Sequence, residues 1–161
     1  MKSPFFLRST SFIVTPRTLR LKDAEECSGL HRSGFAHSWS VAEFEALLRD
    51  PACFGDGVED RNRLSGIILS RRALDEAEVL TVVVSPQARG KGMGRRLLMT
   101  HVARLAASGV KYLFLEVDES NEPALKLYRQ FGFSLEGRRK NYYAQDQGGR
   151  RDALIMRRIL T

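Results

Sequence analysis

A short glycine-rich loop carries the residues with the clearest potential chemistry. Residues 89–94 read RGKGMG, shortly after an apolar β-branched run over residues 79–84 and directly before a helical pattern. The first turn of a helix has backbone N–H groups without partners, and these groups attract anions such as phosphate. Glycine lets a ligand approach the backbone closely, and Arg and Lys add positive charge. The loop therefore predicts a phosphate-binding turn, the alternative being a structural turn that binds nothing.

Two common nucleotide-binding motifs are absent from this loop. RGKGMG fits neither the GxGxxG pattern of dinucleotide-binding folds nor the GxxxxGK[ST] pattern of P-loops. The net charge of +7 favours an anionic partner. A nucleotide-like cofactor, an acidic peptide and RNA remain open as that partner.

Strand and helix patterns indicate how the loop is held. Apolar alternation predicts strands over residues 11–21, 54–59, 64–74, 78–85, 112–117, 133–139 and 152–159. Helices are predicted after the N-cap residues Asp23 and Ser40, over residues 92–108 and over residues 122–131. The early strands form an antiparallel meander, and the two strands around the long helix form a parallel βαβ unit. Gly148 and Gly149 predict a flexible connection before the last strand.

Length and composition are typical of one globular domain over residues 1–161, with residues 1–10 as a loosely ordered N-terminal extension. The chain is 43% hydrophobic and 28% charged. No apolar run approaches the roughly 20 residues of a membrane span, and Arg8 interrupts the apolar N-terminal patch. We therefore expect a cytoplasmic protein with no membrane association.

Cysteine and histidine give no signal of a disulfide or a metal site. Cys27 and Cys53 are far apart and belong to no CxxC motif or Cys/His cluster. His31, His37 and His101 are dispersed. We expect both cysteines to be core residues, the histidines to be structural, and no metal to be needed.

Three segments together make the chain resemble a known enzyme family. The loop over residues 89–94 matches a (Q/R)xxGx(G/A) pattern, residues 115–133 contain an LEV…N…A…LY…GF run, and NYY…DA…M occurs near the end. Over about residues 18–157 the chain resembles the GNAT superfamily of acyl-CoA N-acyltransferases, in particular the bacterial ribosomal-protein-alanine N-acetyltransferase family. GFAHSWS resembles the FPWS region of that family, but His37 and Ser38 stand where the pattern has Phe and Pro.

The resemblance implies both a fold and a cosubstrate. The fold is the α+β (α/β three-layer) GNAT fold: a mixed, mostly antiparallel sheet of about seven strands with a splayed central parallel pair, and about four helices. The cosubstrate is acetyl-CoA, with its pyrophosphate in the glycine loop and its pantetheine arm along the preceding strand. The implied cofactor-binding residues are Val82, Val83, Val84, Arg89, Gly90, Lys91, Gly92, Met93, Gly94, Arg95, Asn121 and Tyr128. The alternatives are a solvated helix surface for Arg95 and helix capping for Asn121.

Acetylation of an amine requires a neutral amine and a protonated leaving thiolate. The resemblance implies that Glu116 takes the proton from the amine and that Tyr128, with an ordinary pKa of roughly 10, donates one to the thiolate. The alternatives are a surface carboxylate at a strand end for Glu116 and a core aromatic for Tyr128.

The resemblance also implies an acceptor site formed by Phe35, Trp39, Tyr142 and Tyr143. For Trp39 core packing is the favoured interpretation, and an aromatic hairpin that packs over the sheet is the alternative for the tyrosines. An α-amine has a pKa of roughly 7.7–8.0 and Lys one of roughly 10.4, so neutralising Lys near pH 7 costs on the order of 3 kcal/mol more. A single carboxylate base therefore favours a protein N-terminal α-amine, which the resemblance makes that of a ribosomal protein.

Two other functions stay open from the sequence. One is a lysine or small-molecule amine acetyltransferase on the same fold. The other is a non-catalytic module that binds CoA or RNA through its positive charge. For the favoured enzyme we expect direct attack without a covalent enzyme intermediate, no need for nucleic-acid binding, and a monomer or weak dimer.

Overall fold

The computed structural model describes residues 14–145 and 148–160. The expected N-terminal extension over residues 1–10 lies outside these ranges, as do the first residues of the strand expected over residues 11–21. Within the described part this strand is reduced to Arg17–Thr18, followed by a one-turn 3-10 helix over Leu21–Asp23. The longer strand is a wrong prediction, because the Asp23 carboxylate accepts a hydrogen bond from the Arg20 N–H at 2.7 Å and turns the chain.

The described residues form seven strands and four α-helices. The strands are β1 Arg17–Thr18, β2 Cys53–Asp60, β3 Arg63–Ala73, β4 Glu76–Val84, β5 Tyr112–Asp118, β6 Ser134–Ala144 and β7 Arg150–Ile159. The helices are α1 Ala24–Gly34, α2 Val41–Arg49, α3 Met93–Ala107 and α4 Glu122–Gln130, with a second 3-10 turn over Pro86–Ala88. No helix among the described residues is both long and apolar enough to cross a membrane.

The strands form one sheet in the order β1-β2-β3-β4-β5-β7-β6. Only β4 and β5 pair in parallel, and α3 connects them. The predicted mixed sheet with a single parallel pair is therefore confirmed. β6 is longer than predicted, since it runs to Ala144 and takes in the NYY segment.

Both helices begin directly after the predicted N-cap residues, Asp23 for α1 and Ser40 for α2, but only Ser40 caps its helix through its side chain. Ser40 caps α2 as expected: its hydroxyl accepts from the Glu43 N–H at 3.2 Å, and Glu43 accepts from the Ser40 N–H at 2.7 Å. Asp23 precedes α1, but its side chain makes no capping hydrogen bond and instead pairs with Arg17 at 2.9 Å.

The helices cover opposite faces of the sheet with two separate cores. On one face α3 and α4 pack against Leu113, Leu115 and Val117 of β5, and on the other α1 and α2 pack against β3. Successive residues of a strand point to opposite faces, so Glu116 lies on the α1–α2 face. Tyr128 of α4 belongs to the core on the opposite, α3–α4 face.

A buried polar network ties α3 to the sheet. The His101 Nδ1–H donates to Asp56 of β2 at 2.7 Å, because a carboxylate only accepts, and His101 Nε2 lies 2.7 Å from the Ser70 hydroxyl of β3. Arg104 also pairs with the Asp56 carboxylate. Asp56, Ser70 and His101 are all 0% exposed, so this Ser-His-Asp arrangement holds elements together and is closed to substrates.

Candidate active site

The glycine loop opens α3 with accessible backbone N–H groups. Gly90 and Gly92 have φ values of 75° and 77°, in the left-handed region that favours glycine. Gly92 is the N-cap of α3, has no side-chain cap, and is followed by a first turn without acidic residues. A Cβ atom added to either glycine would meet nothing within 4 Å. The start of α3 therefore fits an anionic group such as pyrophosphate.

β4 and β5 separate after their first residues. In the described chain, register pairs join Glu76–Glu78 to Tyr112–Phe114, whereas β4 stays paired with β3 as far as Val84. A bulge at Leu80 lies where the gap opens, since Val79 and Thr81 pair with adjacent residues of β3. The backbone of residues 79–84 is thus open on its β5 side to an extended ligand arm. The buried hydroxyl of Thr81 on this stretch has no hydrogen-bond partner among the described residues.

The side chains of residues 82–84 pack into the two hydrophobic cores. Val82 and Val84 pack against the α3–α4 core, and Val83 is buried in the α1–α2 core. Met93 is buried at the start of α3, and a Cβ atom added to Gly94 would lie 3.6 Å from Leu127. A ligand along this edge would therefore contact backbone and not the valine side chains.

The basic side chains near the loop remain at the surface. Arg89 and Lys91 are exposed, and Arg89 Nε donates to the Val84 carbonyl at 3.2 Å. The Arg95 guanidinium lies 5.3 Å from the centre of the Phe131 ring. Asn121, by contrast, caps α4, because its Oδ1 accepts from the Ala124 N–H at 3.3 Å.

A cavity of about 560 Å³, here called the acceptor cavity, lies on the α1–α2 face beside the gap. It is lined by Leu80 of the bulge, Glu116 of β5 and Trp39 of the segment between α1 and α2. Tyr142 and Tyr143 of β6 complete this wall. Three of the four predicted acceptor-site residues thus meet the predicted base in one space.

An irregular pairing of β6 with β7 brings both tyrosines to the cavity. Adjacent strand residues normally point to opposite faces. Here Arg139 pairs with Ala153 and Tyr143 pairs with Arg151, so β6 has two more residues than β7 between these pairs. Asn141 takes a left-handed conformation with φ 55° in this bulge. Both tyrosine rings therefore lie on one side, in an edge-to-face contact at 5.1 Å.

Phe35, the fourth predicted acceptor residue, is not among the residues that line the cavity. Its ring stacks on His31 at 4.4 Å, and His31 stacks in turn on Trp39 at 4.6 Å. The backbone N–H of Trp39 donates to His31 Nδ1 at 3.1 Å, and burial lowers the pKa of His31. A neutral His31 therefore holds Trp39 at the cavity, and Phe35 supports it from the outside.

Tyr128 lies across the sheet from Glu116. It is 9% exposed, and its ring packs edge-to-face on Phe133 at 5.6 Å. Burial raises the pKa of Tyr128 to about 12, and Tyr143 contributes a smaller part of the rise. Burial and then the Glu116 carboxylate raise the pKa of Tyr143. Tyr143 and Glu116 line the same cavity.

Sequence reasoning missed a direct partner of Glu116. Arg139 Nε lies 3.0 Å from Glu116 Oε1, and the Arg139 guanidinium lies 5.4 Å from the centre of the Tyr142 ring. β5 and β6 are not neighbours in the sheet. No local sequence pattern therefore signals this pair.

An ionic network anchors the end of β6 and β7 to β5. Arg138 pairs with Glu119 at 2.7 Å and with Asp152 at 3.0 Å, and Asp152 accepts from the Asn141 N–H at 2.9 Å. Arg151 pairs with Asp118 at 2.9 Å. These bonds hold the bulge that presents the two tyrosines.

Neither cysteine lines the acceptor cavity. Burial raises the pKa of the Cys27 thiol to about 12, which makes it a poor nucleophile. Within residues 14–145 and 148–160, no group of three or more His, Cys, Asp or Glu side chains is arranged to hold a metal ion.

Comparisons with known proteins identify the family of the chain. Residues 20–133 match the acetyltransferase (GNAT) family. The [ribosomal protein bS18]-alanine N-acetyltransferase of Escherichia coli K12 is 30% identical over 142 residues, which cover 88% of this chain and 95% of that protein. The enzyme of the same name from Haemophilus influenzae is 38% identical over 97 residues, which cover 60% of this chain and 66% of that protein.

Solved structures show the same fold. The crystal structure of the ribosomal-protein-S18-alanine N-acetyltransferase from Escherichia coli has a TM-score of 0.85 and 28% identity, and covers 91% of this chain and 94% of that one. Arabidopsis thaliana NAA60 in complex with acetyl-CoA has a TM-score of 0.80 and 19% identity, with coverages of 91% and 98%. The chain therefore belongs to the acetyltransferase (GNAT) family and is an acetyl-CoA-dependent N-acetyltransferase.

Proposed function

We propose that this enzyme transfers an acetyl group from acetyl-CoA to the N-terminal α-amine of a ribosomal protein. The observation that carries the proposal is the meeting of Glu116, Trp39, Tyr142 and Tyr143 in one cavity beside the open edge of β4. The activity in the names of the relatives from Escherichia coli and Haemophilus influenzae supports an α-amine acceptor.

Glu116 acts as the base in this proposal. An α-ammonium group must lose a proton before it can attack a thioester, and Glu116 faces the cavity from which the amine would approach. The attack is direct, because no cysteine lines the described cavity.

Tyr128 acts as the donor to the leaving thiolate. With a pKa of about 12, its hydroxyl stays protonated at neutral pH. Full transfer of its proton to a thiolate of pKa roughly 8.5 is uphill by about 5 kcal/mol. Tyr128 therefore acts chiefly by donating a hydrogen bond as negative charge develops on sulfur. After the carbon–sulfur bond breaks, the thiolate takes the proton of Tyr128, and Tyr128 regains a proton from solvent.

Mapping the acetylated amine tests the acceptor. Three peptides that begin with alanine would be offered with acetyl-CoA: one with a free N-terminus and an internal Lys, one with a blocked N-terminus and the same Lys, and one with a free N-terminus and no Lys. We expect acetylation of both free N-termini and none of the blocked peptide. Acetylation confined to Lys or to free polyamines would replace this acceptor with the lysine or small-molecule alternative.

Three expectations from the sequence accompany the proposal. A ribosomal acceptor would meet the enzyme in the cytoplasm. We also expect a monomer or weak dimer, which sedimentation would test, and activity that does not require nucleic acid.

A further inference from the structure

We infer that Arg139 is a positioning residue that holds Glu116 in place for proton abstraction. The inference rests on the proposed role of Glu116 as the base. It starts from the ion pair between Arg139 Nε and Glu116 Oε1 at 3.0 Å. Roughly 10 Å separates β6 from β5, because β7 lies between them. Arg139 is in register with Ala153 of β7, and this small residue leaves room for the long side chain to cross.

The guanidinium reaches Glu116 from the side away from the acceptor. Glu116 lines both the acceptor cavity and a second cavity of about 380 Å³, whereas Arg139 lines only the second of these two. The ion pair uses Oε1, and no described residue donates a hydrogen bond to Oε2. One carboxylate oxygen is thus held, and the other is free for the amine.

A second contact fixes the guanidinium itself. Arg139 lies over the Tyr142 ring at 5.4 Å, and Tyr142 contacts Tyr143 at 5.1 Å. A planar guanidinium can form an ion pair at its edge and stack through its face at the same time, which a lysine ammonium cannot do. Arg139 thereby links the base to the aromatic wall of the acceptor cavity.

Such positioning acts on the chemical step more than on binding. A misplacement of a reacting group by about 1 Å can cost on the order of 100-fold in rate. Glu116 is a long side chain at 17% exposure, with freedom to rotate once its partner is gone. We therefore expect Arg139→Ala to lower kcat by about 10- to 100-fold, with the KM for acetyl-CoA unchanged within about 2-fold.

The experiment measures kcat and both KM values with the alanine peptide that has a free N-terminus and no Lys. Arg139→Lys should recover part of kcat through its charge, and added guanidinium ion should restore part of the kcat of Arg139→Ala. The matched control is Lys140→Ala. Lys140 is the next residue in the chain and is exposed, so its replacement removes the same charge and should leave kcat unchanged. Thermal unfolding of every variant checks the fold.

A double variant separates this inference from the proposed function. Glu116→Gln should lose activity, and Arg139→Ala added to it should cause no further loss. Wild-type kcat in Arg139→Ala, or an equal additional loss in the Glu116→Gln background, would overturn the role of Arg139 while Glu116 remains the base. Full activity in Glu116→Gln would instead overturn the base, and the positioning role with it.

Discussion

The proposed cofactor side of this enzyme, formed by residues 89–94 and the open edge of β4, presents mostly backbone groups. The acceptor side, formed by the cavity around Glu116, offers side chains from β5, β6 and the segment between α1 and α2. Backbone N–H groups at a helix start bind phosphate in any protein that places glycines there. Side chains from distant segments can vary without disturbing the sheet. The difference explains how one cosubstrate site can be combined with different acceptors.

The two sides also differ in the ion pairs that attach their elements to the sheet. α3 is tied to the sheet by the fully buried Asp56 and His101, whereas the β6–β7 end is held by exposed or half-exposed ion pairs such as Arg138 with Glu119. Buried pairs are costly to break, and exposed pairs contribute little. We therefore expect changes on the cofactor side to affect stability more than changes on the acceptor side.

The largest expected effect is that of Tyr128→Phe on turnover. Removal of the donor should lower kcat by about 10²- to 10⁴-fold. Stability should change little, because no described residue forms a hydrogen bond with the Tyr128 hydroxyl. Steady-state kinetics and thermal unfolding measure the two effects. Turnover within 2-fold of wild type would remove Tyr128 from the mechanism.

A comparison of Asp56→Ala with Arg138→Ala tests whether the buried ion pairs stabilise the protein more than the exposed ones. Asp56→Ala leaves the buried His101 and part of Arg104 without their carboxylate, and should lower the free energy of unfolding by about 3–5 kcal/mol. Arg138→Ala removes surface ion pairs and should cost less than about 1 kcal/mol. Urea unfolding compares them. Equal losses would contradict the difference between the two sides.

Gly92→Val tests the backbone site, with Gly109→Val as the matched control. Both glycines have a left-handed φ, at 77° and 92°, and they flank the two ends of α3. Each substitution should cost at least about 1–2 kcal/mol of stability. Only Gly92→Val should weaken acetyl-CoA binding, by about 10-fold or more, because its side chain projects into the open space of the loop. Calorimetry with unchanged affinity would argue against the loop as the pyrophosphate site.

The smallest expected effect is the acid sensitivity of the acceptor side through His31. Burial lowers the pKa of His31, and the Glu43 carboxylate opposes this in part. The unfolded chain therefore takes up the proton first as the pH falls. The stability contributed by neutral His31 is complete above roughly pH 6.5 and is lost as the pH falls through the lower pKa of the folded state.

The fluorescence of Trp39, the single tryptophan, reports this change, since its ring stacks on His31. We expect the fluorescence of the folded protein to change below about pH 6.5 in the wild type and to stay constant in His31→Asn, whose Oδ1 can still accept from the Trp39 N–H. The same pH dependence in both proteins would exclude His31 as its source.

Much of the fold could be predicted from the sequence because its signals are local. The periodicity of β5 and α3 and the capping box at Ser40 all lie within a few residues. The failures came where a distant or irregular contact prevailed. Asp23 is the N-cap residue of α1, but its side chain pairs with Arg17 and forms no capping hydrogen bond, and the β6 bulge turns an expected loop into strand.

The position of the glycine loop could be predicted from local sequence alone, since positive φ and a free helix start are properties of adjacent residues. Together with the resemblance, the sequence also named Glu116, Tyr128 and the two tyrosines of β6. Only the tertiary structure placed Tyr142 and Tyr143 on one face, turned Phe35 away from the cavity, and set Arg139 beside Glu116. These contacts depend on the strand order β5-β7-β6 and on one bulge, which join segments far apart in the chain.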